Sequence, residues 1–258
     1  MKTDFIALTE LSGDDVSAEQ VERIARRYYW AADYCKGKDV LEAGCGAGQG
    51  LGLLSRTAHS LTAGDYSQPV LDIAERHYGR RLNLRQFDAQ AMPFAAASFD
   101  VVILFEALYY VPVATAFFRE CQRVLRPGGR LLLATANKDL FDFTPSAHTY
   151  RYHGVVEFES ELAALGFEVR CFGDTPVGAV SMRQRILRPV KMAASRLGLI
   201  PESMEAKKVL KRFVFGGLVP MPAEIDDRTA TPAPPTPLLA GKPDIDHKVI
   251  FCVARMPG

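Results

Sequence analysis

The stretch that decides the fold is Val40-Leu-Glu-Ala-Gly-Cys-Gly-Ala-Gly-Gln-Gly50. Here an apolar run ends at the acidic Glu42 and continues directly into closely spaced glycines, after which a helical pattern begins. Glycines let a ligand approach the backbone closely, and the first N–H groups of a helix have no partner within the helix. The stretch therefore predicts a strand, a ligand-binding turn and a helix, with a polar, nucleoside-like ligand at the turn.

Short apolar runs alternate with helical patterns on both sides of this stretch. Such alternation is typical of βαβ units that form a parallel sheet covered by helices on both faces. A helix over residues 17–34, which opens with a capping-box pattern at Ser17, precedes the alternating region. The predicted strands are residues 39–43, 61–64, 82–87, 99–105, 130–136, 168–172 and 248–254. The predicted helices between them are residues 49–59, 68–78, 113–125 and 158–165.

Length and composition fit one domain. With 258 residues, 48% of them hydrophobic and 24% charged, the chain can bury a full core. We predict a single domain over residues 1–258. It consists of an N-terminal helical segment (1–36), a core (37–173), a substrate-side insertion (174–246) and a final strand (247–258). The insertion contains a basic, helix-like stretch at 183–197 and a Pro-rich stretch at 220–243.

The net charge and the cysteines indicate which partners and which cellular compartment to expect. A net charge of +1, from 31 basic and 30 acidic residues, creates no overall field for polyanions, so no nucleic-acid partner is expected. The five cysteines form no C-x-x-C pair, which favours a reducing cytoplasm. We recognise no membrane segment and no cluster with metal-ligand spacing, and we expect a monomer or a homodimer.

Two interpretations compete for the glycine stretch. A dinucleotide fingerprint that starts at Gly44 needs a glycine at position 49, where the chain has Gln49, so an NAD-type oxidoreductase is disfavoured. Glu42-Ala-Gly-Cys-Gly-Ala-Gly48 instead resembles motif I of class I S-adenosylmethionine-dependent methyltransferases. Segments similar to the later motifs of that family follow in order, at residues 61–67, 87–94, 98–111 and 125–130, so the resemblance covers about residues 35–136.

This resemblance implies a Rossmann-like α/β fold, whose mostly parallel seven-stranded sheet has an antiparallel last strand, and S-adenosylmethionine as the cofactor. Asp65 would accept hydrogen bonds from the two ribose hydroxyls, and Asp88 from the adenine amine. The remaining residues implied in cofactor binding are Tyr29, Glu42, Gly44, Cys45, Gly46, Tyr66, Ala89 and Phe105.

The family has no universal catalytic residue, because the cofactor's methyl group is already electrophilic. The candidate bases are Glu106 and Tyr109 after the fourth strand of the core, and His148 and His153 in the polar loop 146–154. We expect methyl transfer to an O or N atom of a small-molecule acceptor, with a sugar or natural-product intermediate as the favoured class. The alternative that stays open is a pseudo-enzyme that binds the cofactor and acts as a partner or regulatory subunit.

Overall fold

The computed structural model describes residue 6 and residues 9–146, 148–179 and 217–258. The helices of this part are α1 (Ala18–Cys35), α2 (Leu51–Thr57), α3 (Gln68–Tyr78), α4 (Ala114–Val124) and α5 (Val155–Ala163). The strands are β1 (Asp15–Ser17), β2 (Asp39–Ala43), β3 (Ser60–Asp65), β4 (Asn83–Gln86), β5 (Phe99–Phe105), β6 (Leu125–Ala136), β7 (Glu168–Pro176), β8 (Leu218–Pro220), β9 (Thr236–Pro237) and β10 (His247–Arg255).

The main sheet has the order β4-β3-β2-β5-β6-β10-β7-β9. The first five strands in this order are parallel, whereas β10 is antiparallel to both of its neighbours, β6 and β7. This arrangement confirms the predicted mostly parallel sheet with an antiparallel last strand. The two-residue strand β9 adds an eighth, edge position beside β7.

The strand order creates a crevice at one edge of the sheet. From β2 the chain moves outward to β3 and β4, and then returns to β5 on the other side of β2. In open α/β sheets ligands bind beside the carboxyl ends of the strands at such a switch point. The glycine loop, which follows β2, therefore lies where the topology predicts a ligand.

Both faces of the sheet are covered, as the apolar runs of the strands require. On one face Leu104 and Leu133 pack with Phe117 of α4 and Phe158 of α5. On the other face Ile103 and Leu132 pack with residues of α1 and α2. The strands β5 and β6 thus contribute alternate residues to two apolar clusters, one on each face.

Helix α1 forms where the sequence predicts it. The Ser17 hydroxyl accepts a hydrogen bond from the Gln20 N–H at 3.2 Å, which caps the helix. The side-chain amide of Gln20 donates a further hydrogen bond to Glu10, which ties the preceding segment to the start of the helix. The inward face of α1 buries Val21, Ile24 and Tyr28, in agreement with the apolar spacing.

A segment that we call the strap, residues 217–230, contacts the end of the glycine loop and helix α2. Its strand β8 pairs with β1, and its Met221 and Ile225 are buried in the apolar cluster beneath α1 and α2. The Ile225 N–H donates to the Gln49 carbonyl at 2.7 Å. The strap therefore packs as part of the core surface and connects the predicted insertion to the loop after β2.

The predicted helix-like stretch at 183–197 lies outside the described residues. The strand predicted at residues 130–136 begins earlier in the structure, because β6 starts at Leu125, with an irregular register against β5 near Phe99. The division of the chain into a core, an insertion and a final strand stays a prediction.

Candidate active site

The loop after β2 has a backbone that only glycine adopts easily. Gly44, Gly46 and Gly48 have positive φ angles of 69°, 58° and 85°. A Cβ at Gly48 would lie 3.0 Å from the Tyr78 ring. The Tyr78 hydroxyl donates to the Gly48 carbonyl at 2.7 Å and accepts from the Gly52 N–H at 3.1 Å. Helix α3 therefore holds the loop in place through one tyrosine.

Asp65, the last residue of β3, faces this loop. Its two carboxylate oxygens accept from the Gly46 N–H at 3.0 Å and from the Ser67 N–H at 2.9 Å. Burial raises the pKa of the Asp65 carboxyl, and the backbone hydrogen bonds oppose the rise. Each oxygen can accept a further hydrogen bond, so the carboxylate can bind two hydroxyls of a ligand.

The segment after β4 lies beside Asp65, because the Phe87 N–H donates to the Asp65 carbonyl at 3.2 Å. Asp88 accepts hydrogen bonds from the backbone N–H of Gln90 at 2.8 Å and from its side-chain amide at 3.2 Å. Asp88 and Ala89 line the cavity described below, and the exposed Tyr66 lies at its rim. The structure thus brings these residues together, with Gln90 as an additional partner of Asp88.

Behind the glycine loop, Glu42 and Tyr28 form a buried pair. The Tyr28 hydroxyl donates to a Glu42 carboxylate oxygen at 2.6 Å, and the other oxygen of Glu42 is buried without a hydrogen bond. Burial raises the pKa of Glu42 to about 7. The Tyr28 ring occupies the space that a Cβ at Gly50 would need, so this glycine permits the close approach of α1.

One cavity of about 1310 Å³ connects these features. The strand order places Asp88, Asp65, Gly44 and Glu106 along one edge of the sheet in that sequence. Cys45, Gly46, Phe105 and Tyr109 also line the cavity. The cavity therefore extends from the segment after β4 to the residues that follow β5.

The residues after β5 form the second half of the site. Glu106 has a positive φ of 51°, and its carboxylate accepts from the Tyr109 hydroxyl at 3.0 Å. Burial raises the pKa of Tyr109 well above its usual value, and the nearby Glu106 adds to the rise. His148, also at a positive φ of 62°, lines the cavity as an exposed residue. Glu106, Tyr109 and His148 are therefore brought together at one cavity.

Three of the residues predicted for the site lie outside the cavity lining. Glu42 is screened by Tyr28, as described above. The Tyr29 hydroxyl donates to the Asp226 carbonyl at 2.6 Å and accepts from the Ala230 N–H at 3.0 Å, so this tyrosine anchors the strap. His153 is buried in a stacked contact with Phe158 and has its Nε2 3.3 Å from Glu161, and burial lowers its pKa.

Several residues of the site were not among the predicted ones. Arg23, Arg27 and Tyr28 of α1 line the cavity, and Tyr78 supports the loop. The signal for the α1 residues is the helical spacing that already placed Ile24 and Tyr28 on one face. No comparable signal marks Tyr78, because its contact with the loop depends on how α3 packs.

The residues present fit the cofactor that the motifs imply. Gly46 lines the cavity, and among the described residues a Cβ there would meet Thr9 alone within 4 Å, at 3.6 Å. Asp65 keeps free acceptor positions, as described above. Together with the strand order, these features are those expected of the class I methyltransferase core that the motifs resemble.

Comparison with known proteins agrees with this class. Residues 41–133 match the family model of a methyltransferase domain. A probable S-adenosylmethionine-dependent methyltransferase of Mycolicibacterium smegmatis is 34% identical over 148 residues, which are 55% of this chain and 56% of that protein. A ubiquinone biosynthesis O-methyltransferase of Methylocella silvestris is 35% identical over 127 residues, 48% of this chain and 49% of that protein. The chain spans about half the length of these curated relatives.

A solved structure shares the fold. The [4+2]-cyclase SpnF superposes with a TM-score of 0.58 and 19% identity, over 96% of this chain and 85% of that chain. Within the part of the chain that the structure describes, no helix is both long and apolar enough to cross a membrane. In the same part, no group of three or more His, Cys, Asp or Glu side chains is arranged to hold a metal ion.

Proposed function

We propose that the chain transfers the methyl group of S-adenosylmethionine to an O or N atom of a small molecule, such as a sugar or natural-product intermediate. The observation that carries the proposal is the single cavity that connects Asp65 and the glycine loop with Glu106 and Tyr109. A cofactor and an acceptor bound in one cavity can meet without crossing solvent, which is the arrangement that group transfer needs.

The residues that would hold the cofactor follow from the geometry above. Asp65 would accept from the ribose hydroxyls, Asp88 and Ala89 would contact the adenine, and the backbone of the Gly44–Gly46 turn would face the amino-acid part. When it is bound, S-adenosylmethionine supplies an electrophilic methyl group on a sulfonium. The protein then has to position the acceptor and remove its proton.

Glu106 is the candidate base that the geometry favours. Its carboxylate lines the cavity and holds the Tyr109 hydroxyl at 3.0 Å, so the pair can accept a proton or orient an acceptor hydroxyl. His148 is a second candidate at the rim of the cavity. His153 is not carried into the proposal, because its ring is buried against Phe158 and does not line the cavity.

A second candidate function is cofactor binding without methyl transfer, in a partner or regulatory role. SpnF, which has the same fold, is named a [4+2]-cyclase. The fold alone therefore does not determine the reaction. A small-molecule acceptor, a monomeric or homodimeric state and a cytoplasmic location stay predictions.

The test uses S-adenosylmethionine with a labelled methyl group and a pooled extract of small metabolites. We expect label in a small-molecule product that mass spectrometry can identify, formed by the unmodified chain and by the control Asp33→Ala, whose side chain is exposed on α1. Asp65→Ala should form far less product. A chain that binds the cofactor but labels no metabolite would contradict the proposal and favour the partner role.

A further inference from the structure

Two arginines of α1 extend toward the cavity. Arg23 and Arg27 both line it, and their spacing of four residues places them on the same helix face. In each side chain the Nε atom is buried and donates no hydrogen bond. A buried donor of a charged group without an acceptor is unfavourable, so a ligand that accepts from these atoms would remove this cost.

The two arginines differ in whether an acidic side chain lies beside them. Arg27 lies 3.9 Å from a Glu106 oxygen and over the Tyr28 ring, 5.7 Å from its centroid. Arg23 takes part in none of the ion pairs found among the described residues. Like charges four residues apart on a helix repel each other, which an anion between them would reverse. Arg23 therefore has no acidic partner among the described residues, although carboxylates also line other parts of the cavity.

Arg26 also has a buried Nε without a hydrogen bond, but it differs from the other two in its acidic partners and its position. It lies between the other two in sequence, but its guanidinium is 3.3 Å from Glu22 and 4.0 Å from Asp174. It does not line the cavity. Arg26 is therefore a matched control on the same helix.

Aromatic side chains line the part of the cavity that follows β5. Tyr109, Tyr110 and Tyr150 all line it, and Tyr150 is 65% exposed. Tyr109 is held in place by stacking on Tyr152, with 4.4 Å between the ring centroids. Such rings offer flat apolar surfaces to a ligand.

We propose that Arg23 and Arg27 bind an anionic group, a carboxylate or a phosphate, of the methyl acceptor; this rests on the proposed function. A guanidinium presents a planar fork of donors that matches both groups. Arg23 supplies the uncompensated charge, and Arg27 adds donors beside Glu106. The tyrosines contact the apolar part of the same acceptor. The substrate class is therefore an acid with a flat or apolar body.

The experiment first saturates the full chain with S-adenosylhomocysteine, so that the cofactor's own carboxylate is already bound. Benzoate and its neutral isostere benzamide are then titrated by calorimetry, with inorganic phosphate as a second anion. We expect benzoate to bind about tenfold or more tightly than benzamide, the usual effect of hydrogen bonds to a charged group. Arg23→Met should abolish this preference, whereas Arg26→Met should keep it. Both variants should bind S-adenosylhomocysteine within about twofold of the unmodified chain.

Two results would overturn the proposal. One is that neither benzoate nor phosphate binds the saturated chain. The other is that Arg23→Met weakens S-adenosylhomocysteine itself about tenfold, because the arginine would then bind the cofactor's carboxylate. Arg23→Lys, which keeps the charge and should retain part of the preference, replaces Arg23→Met if circular dichroism shows an unfolded chain. If S-adenosylhomocysteine does not bind at all, the proposed function fails, and benzoate titrated into the chain alone still tests the arginine pair.

Discussion

Asp65 is the residue on which the proposed cofactor site depends most. It accepts from two backbone N–H groups, and each of its oxygens can still accept from a ligand hydroxyl. We expect Asp65→Ala to weaken S-adenosylmethionine binding by about 1.5–3 kcal/mol, roughly 10- to 150-fold, because hydrogen bonds to a charged acceptor are lost. Isothermal titration measures this change.

The control for this substitution is Asp33→Ala, an exposed position on α1 that does not line the cavity. Its affinity should equal that of the unmodified chain. If Asp65→Ala binds the cofactor as tightly as Asp33→Ala does, Asp65 does not belong to the site.

Glu42 should make the stability of the chain depend on pH. Burial raises its pKa from 4.5 to about 7. Between these pH values the unfolded chain releases the proton and the folded chain keeps it, so the free energy of unfolding decreases as the pH rises through this window. The full effect is about 3 kcal/mol. Glu42→Gln, which stays neutral and can still accept from Tyr28, should remove this part of the decrease.

Urea unfolding at about pH 5 and about pH 8 measures the difference. Relative to the unmodified chain, Glu42→Gln should gain stability at the higher pH. Glu22→Gln, at an exposed position of α1, serves as the control and should not gain. Parallel pH profiles of the unmodified chain and Glu42→Gln would contradict the buried, protonated state of Glu42.

The glycine loop, Asp65 and Asp88 lie at one cavity because local motifs place them at the ends of neighbouring strands, and their roles in cofactor binding stay predictions. The sequence did not separate Tyr28 from Tyr29. Adjacent helical residues point about 100° apart, and the apolar spacing of α1 favoured Tyr28 as the inward one. Whether the His153 side chain faces the cavity could not be derived from the sequence, because this depends on the stacking of its ring on Phe158 of the following helix.

At the scale of elements, the long strands and helices were predictable and the short ones were not. The strands β2 and β5 and the helix α3 match their predicted bounds, because their apolar periodicity is strong. β1, β8 and β9 have only two or three residues each, and Val16 pairs with Val219 across two hundred positions of sequence. No local pattern marks such pairs, so the sequence placed the strap only within the predicted substrate-side insertion.

Tyr29 gives a test of the strap. Tyr29→Phe removes the hydroxyl that contacts Asp226 and Ala230 and keeps the ring. We expect the free energy of local opening of the strap to fall by about 1–2 kcal/mol. Amide hydrogen exchange in residues 217–230 should therefore be faster, with cofactor affinity unchanged. Exchange in β6 and α4 is the internal control. Unchanged exchange in the strap would mean that this hydroxyl does not hold it.

Across the whole molecule, the reactivity of the five cysteine thiols reports on how tightly the core is packed. All five are buried as free thiols, and burial raises the pKa of Cys35 to about 12 and also raises the pKa of Cys45, Cys121 and Cys252. Since the thiolate is the reactive form, we expect no thiol of the folded chain to react rapidly with Ellman's reagent. All five should react in guanidinium chloride. A rapidly reacting thiol in the folded chain would contradict the packing at that position.

Calorimetric titration of the unmodified chain with S-adenosylmethionine, S-adenosylhomocysteine and NADH tests directly whether the glycine loop, Asp65 and Asp88 form an S-adenosylmethionine site. We expect both S-adenosyl compounds to bind with one site per chain, because Asp65, Asp88 and the glycine loop line one cavity. We also expect that NADH does not compete with S-adenosylmethionine, since Gln49 occupies the position of the third glycine in the dinucleotide fingerprint. Tighter binding of NADH, or a folded chain that binds neither S-adenosyl compound, would contradict this site.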